Sequence, residues 1–197
     1  FIKAVPAIMV GIAFFLSGCQ PKLQVPGQTE TVKADLFTTA EAQFEKGDLE
    51  KALKNYEAFV NEKPENRKQV FAFQRIAEIH MKQHQEKEAL TALEQIERQY
   101  PDYTWMAQVK YQIANILFTL GKYRQSVDRL MEWIGEYPQD PMQCDVKALL
   151  GDNYLELQDR IEAFTWWMEA KKQCADHLDK MAMLDDKLKQ LVSESTP

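Results

Sequence analysis

Glycine is scarce in this chain, with 7 in 197 residues, and three of those precede Val32. A body so poor in glycine and rich in Ala, Glu, Lys, Leu and Gln leans to helix, not to tight-turned β-structure. Positive charge is also short: 24 Lys and Arg against 30 Asp and Glu leave a formal charge of -6. The concentrated basic surface that nucleic-acid binding needs is missing, so nucleic acid is excluded as an expected partner. Histidine is rarer still, at 3, and cysteine equally so, at 3. No phosphate-cradling glycine loop, nucleophile elbow or paired zinc motif is present, so the chain reads as a non-enzyme with no cofactor.

Long apolar runs are lacking after residue 16, and the one before it is short. Residues 4–16, AVPAIMVGIAFFL, are uncharged and follow Lys3. That length suits a signal-peptide core and falls short of the roughly 20 residues a spanning helix needs. Leu16-Ser17-Gly18-Cys19 comes next and resembles the bacterial lipobox, in which an aliphatic and two small residues precede the cysteine that receives lipid. The alternatives are an ordinary signal peptide or a transmembrane anchor beside a chance cysteine. The resemblance implies cleavage after residue 18 and anchoring through lipid on Cys19, since two or more acyl chains hold a protein stably at a bilayer. Gln20 follows, where an aspartate usually means inner-membrane retention in proteins of this kind from Gram-negative bacteria. The expected location is therefore the periplasmic face of the outer membrane, or the outer leaflet of the cytoplasmic membrane if no outer membrane exists. Residues 19–33, with two prolines and a glycine, read as the lipidated cysteine and a flexible tether.

What the chain does have is a 37-residue step. Pro64, Pro101 and Pro138 obey it. So do the small residues Ala52, Ala89, Ser126 and Ala163, and likewise Ala40, Ala77, Ala114 and Gly151. Large apolar residues keep the same phase: Phe44, Met81, Phe118 and Leu155; Leu53, Leu90, Val127 and Phe164; Tyr56, Leu93, Leu130 and Trp167. Each unit reads as two helices. In the first, Asp35 to Lys46 carries a helical period, Gly47-Asp48 breaks it, and Leu49 to Asn61 resumes before Pro64. Small residues in phase mark close helix approach, and large ones fill the space between hairpins.

These columns resemble the tetratricopeptide repeat, W-x2-L-G-x2-Y, then A-x3-F, then P. Leu150-Gly151-Asp152-Asn153-Tyr154 with Ala163-x3-Trp167 follows the pattern, as do Gly47 to Ala52 with Tyr56 and Pro64, and Gly121-Lys122-Tyr123 with Ser126 and Pro138. His84 and Gln158 stand where the turn glycine belongs, Glu86 replaces the usual aromatic, and Ala175 the last proline. The resemblance implies an all-α, right-handed α-α superhelix of about four hairpins (34–66, 70–103, 107–140, 144–175). A capping helix over 176–192 and a tail or linker over 193–197 complete it, since a solenoid's last hairpin needs a cover.

The Lys63-Pro64, Tyr100-Pro101 and Tyr137-Pro138 junctions lengthen the family's 34-residue period. They make the chain similar to bacterial envelope lipoproteins and periplasmic partners of the BamD, CpoB (YbgF) and LpoA-like penicillin-binding-protein activator types, and the opening Asp35-Leu36-Phe37…Ala40-Glu41…Phe44-Glu45-Lys46-Gly47-Asp48 most resembles the N-terminal repeats of the last. In that last group a periplasmic-binding-protein-like domain follows the repeats, so the resemblance leaves open a further domain after Pro197. The resemblance implies a scaffold binding envelope proteins in peptidoglycan or outer-membrane protein assembly. It also implies a concave groove lined by Phe37, Glu41, Gln74, Glu78, Tyr111, Asn115, Ala148 and Asp152. Asn115 and Arg75 suit a partner's terminal carboxylate, whereas Glu41, Glu78 and Asp152 repel one, which favours a neutral or basic segment or a folded partner.

Three smaller readings remain. His80, His84 and Glu88 have ligand-like spacing, but His84 falls in a turn, so metal binding is not expected and solvated side chains are. Cys144 and Cys174 are an even remainder once Cys19 is lipidated, which suggests a disulfide. Helix axes about 8–10 Å apart against a bridging limit of about 6.8 Å argue for two free thiols instead. Trp167 falls in a core column, while Trp166 and Trp105 could each pack or protrude.

Overall fold

The computed structural model describes residues 35–62 and 67–193. The expected signal peptide, Leu16, Ser17, Gly18, lipidated Cys19, the tether, Pro64 and the tail after Ser193 lie outside the described residues. Among those described, the chain forms nine helices and no strand: α1 (Leu36–Glu45), α2 (Leu49–Asn61), α3 (Lys68–Lys82), α4 (Glu86–Gln99), α5 (Met106–Thr119), α6 (Tyr123–Glu136), α7 (Gln143–Glu156), α8 (Arg160–Gln173) and α9 (Leu178–Ser193). Each odd helix through α7 pairs with its successor, and each hairpin then packs on the next, which is a tetratricopeptide-type solenoid. None of these helices is long and apolar enough to cross a membrane.

The repeat is written into the backbone. Gly47, His84, Gly121 and Gln158 all have positive φ, at 78°, 57°, 70° and 63°. In each turn two amides close back on the ending helix, as Gly47 N–H donates to the Phe44 carbonyl and Asp48 N–H to Gln43. The same pair recurs at His84 and Gln85, Gly121 and Lys122, and Gln158 and Asp159. This left-handed closure satisfies carbonyls that a helix end would otherwise leave open. Asp48 and Asp159 then cap α2 and α8 through Lys51 N–H and Glu162 N–H.

The Tyr-Pro junctions are equally regular. Tyr100 and Tyr137 adopt φ/ψ of -134°/56° and -126°/55°, out of the helical region as a following proline requires. Tyr103 N–H donates to Tyr100 and Asp140 N–H to Tyr137, so the extra residues form one repeated turn.

The small columns lie where helices touch: Ala40, Ala52, Ala89, Ala114, Ser126 and Ala163 are fully buried. Ser126 keeps a hydroxyl there by donating to the Ala114 carbonyl at 2.8 Å. A further column, Phe59, Ile96, Trp133 and Ala170, is buried throughout. Trp133 serves both packing and polarity, its Nε1 donating to the Ala107 carbonyl at 2.7 Å.

The last column shows one departure. Leu90 and Val127 are buried, yet Phe164, in the same phase, is 41% exposed. The reason is position: among the described residues, no further hairpin stacks on α8. The ninth helix covers only part of that face, through Leu184, Leu188 and Leu191 packed with Trp167, Ala163 and Ala170. Lys180 to Asp145 (2.6 Å) and Lys187 to Asp152 (2.5 Å) tie α9 to α7, and Lys171 bonds Asp185.

Candidate protein-binding groove

The first helices α1, α3 and α5 line one side of the solenoid, and a cavity of about 690 Å³ opens along them. Its walls include Phe37 and Glu41 from α1, Gln74, Arg75 and Glu78 from α3, and Gln112 and Asn115 from α5. Five of the residues nominated by the repeat pattern therefore share it: Phe37, Glu41, Gln74, Glu78 and Asn115. The other three do not. Tyr111 turns toward the third and fourth hairpins, where burial, then Asp145 and Asp152, push its hydroxyl up to about 12. Ala148 is 8% exposed and sits in the core, its carbonyl accepting from Trp167 Nε1 at 3.2 Å, so it is no groove residue. Asp152 lines a separate cavity of about 340 Å³ with Phe118, Leu155 and Lys187.

Arg75 is the electrostatic centre of the main groove. Its guanidinium donates to Glu41 at 3.3 Å and Glu78 at 2.9 Å and lies 4.4 Å from the Phe44 ring centroid. Lys82 adds a second bond to Glu78 at 3.0 Å. Tyr56 donates its hydroxyl to Glu41, and burial followed by that carboxylate raises the phenol well above its usual range. Burial alone would raise Glu78, but the bonds from Lys82 and Arg75 outweigh it and hold the carboxyl below its ordinary value. Asp152 likewise is matched by Lys187 and by Trp167 Nε1 at 3.0 Å. The repulsion expected from Glu41, Glu78 and Asp152 is thus neutralised in place by Arg75, Lys82 and Lys187.

What the groove offers a ligand is mixed. Phe37, Phe71, Met81 and Ile116 supply apolar wall, and Gln74, Gln112 and Asn115 supply amides that can both donate and accept. Arg75, read from the sequence as suited to a carboxylate, does line the groove, while Phe71 and Gln112 were not nominated. The signal was available for Gln112, which stands 37 residues after Arg75.

Elsewhere, His80 is buried and pairs Nδ1 with Gln85 Oε1 at 2.7 Å, so it is a structural side chain and not the solvated one expected. His84 occupies the left-handed turn, and no metal-binding cluster occurs among the described residues. Cys144 and Cys174 form a disulfide with Cα atoms 5.3 Å apart. The axis-distance objection fails because the bridge joins the first turn of α7 to the residue after α8, where the chain leaves the helix. Trp166 packs beside the third hairpin's core, while Trp105 is 60% exposed.

A tetratricopeptide repeat-like domain model matches residues 24–109. No curated protein sequence matches significantly. Among solved structures, the kinesin light chain TPR-like repeats of Podospora anserina superpose with a TM-score of 0.63 at 15% identity, over 80% of this chain and 84% of that one. YrrB, described as a TPR protein with an unusual peptide-binding site, gives 0.62 at 19%, over 78% and 73%. MamA from Desulfovibrio magneticus RS-1 gives 0.62 at 12%, over 82% and 89%. At these identities the likeness concerns the fold, which these structures share with this chain across most of its length.

Proposed function

We propose that this chain is a non-catalytic scaffold that holds an extended segment of an envelope protein in the groove along α1, α3 and α5. The observation that carries the reading is the groove's composition: apolar walls, three amide side chains and an Arg75 whose charge is already matched by Glu41 and Glu78. Amides pair with peptide backbone irrespective of sequence, and phenylalanine and methionine walls accept bulky apolar side chains. A tetratricopeptide fold is a protein-binding scaffold in general terms, and YrrB is named for a peptide site.

The cellular setting follows from residues 1–19. Lipid on Cys19 anchors the repeats at the periplasmic face of the outer membrane, where the partner belongs to peptidoglycan or outer-membrane protein assembly. An LpoA-like activator region is the favoured setting, supported by the opening motif from Asp35-Leu36-Phe37 to Gly47-Asp48; a BamD-like or CpoB-like adaptor is the second reading, supported by the 37-residue step and Tyr-Pro junctions common to all three.

Crosslinking in native membranes followed by mass spectrometry tests this. Envelope proteins should be captured by the wild type and lost with Asn115→Ala combined with Gln74→Ala. Equal capture by that variant would overturn the groove assignment. Cys19→Ser should release the chain from membranes, and continued sedimentation with them would count against lipid anchoring.

A further inference from the structure

We infer that the junction between the second and third hairpins is a saccharide-binding site that takes a neutral oligosaccharide. A cavity of about 1200 Å³ opens there, between the ends of α2 and α4, the start of α3 and the turn over residues 100–105. It exceeds the roughly 300–1,000 Å³ of a pocket for a drug-sized ligand, so it suits a chain of rings better than a single one. Phe71 and Trp105 line it and remain 48% and 60% exposed.

The repeat supplies its own comparison. One 37-residue step later, the positions of Phe71 and Trp105 hold Gln108 and Met142, and those of Gln95 and Gln99 hold Glu132 and Glu136. The solenoid therefore needs neither aromatic rings nor uncharged amides at these places. Both pairs depart from the next unit at one site, and all four side chains line the same cavity. Packing does not account for rings left this open.

The ligand class follows from what the cavity presents. Gln99 Nε2 donates to Gln95 Oε1 at 2.7 Å, which leaves Gln95 Nε2 and Gln99 Oε1 without a partner among the described residues. One donor and one acceptor are thus held side by side. Adjacent sugar hydroxyls, each able to donate and accept, match such a pair. The aromatic faces cover the C–H face of a sugar ring, whose hydroxyl rim stays polar. Arg67 and Asp102 also line the cavity and carry opposite charges, so it selects neither an anion nor a cation. A lipid tail would strand the amides. The back wall is fixed, because buried Gln69 donates to the Val60 carbonyl at 3.3 Å and accepts from the Tyr100 hydroxyl. A wall already ordered lowers the cost of binding. Trp105 lies outside the groove along α1, α3 and α5, so either assignment stands if the other fails.

Titration of the full chain with cellohexaose, chitohexaose and maltohexaose, in a non-ionic detergent without a sugar headgroup, provides the test. Trp105 is the reporter, since Trp133 and Trp167 are buried. At least one hexasaccharide should shift tryptophan emission to the blue, shield it from acrylamide and release heat in calorimetry. W105M and F71Q, which install the next unit's residues, should keep the helical circular dichroism and melting. Each should weaken calorimetric binding at least about tenfold, and Q95E combined with Q99E should do the same. Should F71Q lose its helical signal, W105M in the exposed turn carries the test. No response to any of the three sugars would overturn the inference, as would binding indifferent to W105M and F71Q. A proline-rich peptide that perturbs Trp105 where the sugars do not would assign the cavity to a protein segment and overturn it too.

Discussion

Gly151 lies directly under the indole of Trp167: a Cβ built at residue 151 would stand 2.2 Å from Trp167 Cδ1 and 2.4 Å from Nε1. The equivalent positions hold alanine at 40, 77 and 114, and their partners in the facing column are Tyr56, Leu93 and Leu130. The fourth hairpin has traded a methyl group on one helix for an indole on the other. That indole cannot move aside easily, because Nε1 donates to Ala148 and Asp152. Gly151→Ala should therefore destabilise the fold by about 3 kcal/mol, measured by chemical denaturation. Trp167→Leu should be costly alone yet recover part of the loss in the double variant. Simple additivity would show that the two residues are not coupled.

Two turns carry avoidable strain. His84 and Gln158 occupy left-handed backbone that Gly47 and Gly121 occupy without a Cβ. His84→Gly and Gln158→Gly should each raise stability by about 0.5–1 kcal/mol. Gly47→Ala should lower it by about 1 kcal/mol, although nothing stands within 4 Å of a Cβ there. Its penalty is purely conformational. Thermal melting of the three single variants decides the matter, and a destabilised Gln158→Gly would contradict it.

Reducing Cys144–Cys174 opens a link across a sequence separation of 30. Chain-entropy arguments put the loss at about 3–4 kcal/mol. The effect should be local, because hairpins contact only neighbours. Hydrogen exchange after reduction, or in Cys144→Ser with Cys174→Ser, should rise in α7, α8 and α9 and stay unchanged in α1 to α4. Uniform acceleration would contradict this.

Acid should loosen the groove. Glu78 has a lower pKa in the folded chain than its ordinary 4.5. Its contribution is complete above that ordinary value and is lost as pH falls through the lowered folded one. Glu78→Gln should remove this part of the acid sensitivity and flatten stability against pH below about 4.5. An unchanged slope would mean that the bonds from Arg75 and Lys82 carry nothing.

Much of this fold was legible because a repeat presents each physical requirement several times. One alanine means little, but Ala52, Ala89, Ser126 and Ala163 at a common step identify a contact. The groove was half legible. Phe37, Glu41, Gln74, Glu78 and Asn115 share one cavity in keeping with their common phase, whereas Tyr111 packs with the third and fourth hairpins, Ala148 with the fourth hairpin and α9, and Asp152 lines a separate cavity. Charge in the groove was misread for a different reason. Spacing reveals that Glu41 and Glu78 share a face, but not that Arg75 reaches both. His80 likewise looks solvent-facing in a polar sequence, and only the turn that brings Gln85 back to its ring explains its burial.

The turn residues share one handedness at a constant interval, and among the described residues the main helix packing runs between adjacent modules. Mechanical load along such an array meets its resistance module by module. Under tension it should give way as a sequence of separate yielding events, each freeing one two-helix unit, while the disulfide shields the stretch between residues 144 and 174 from being paid out at all.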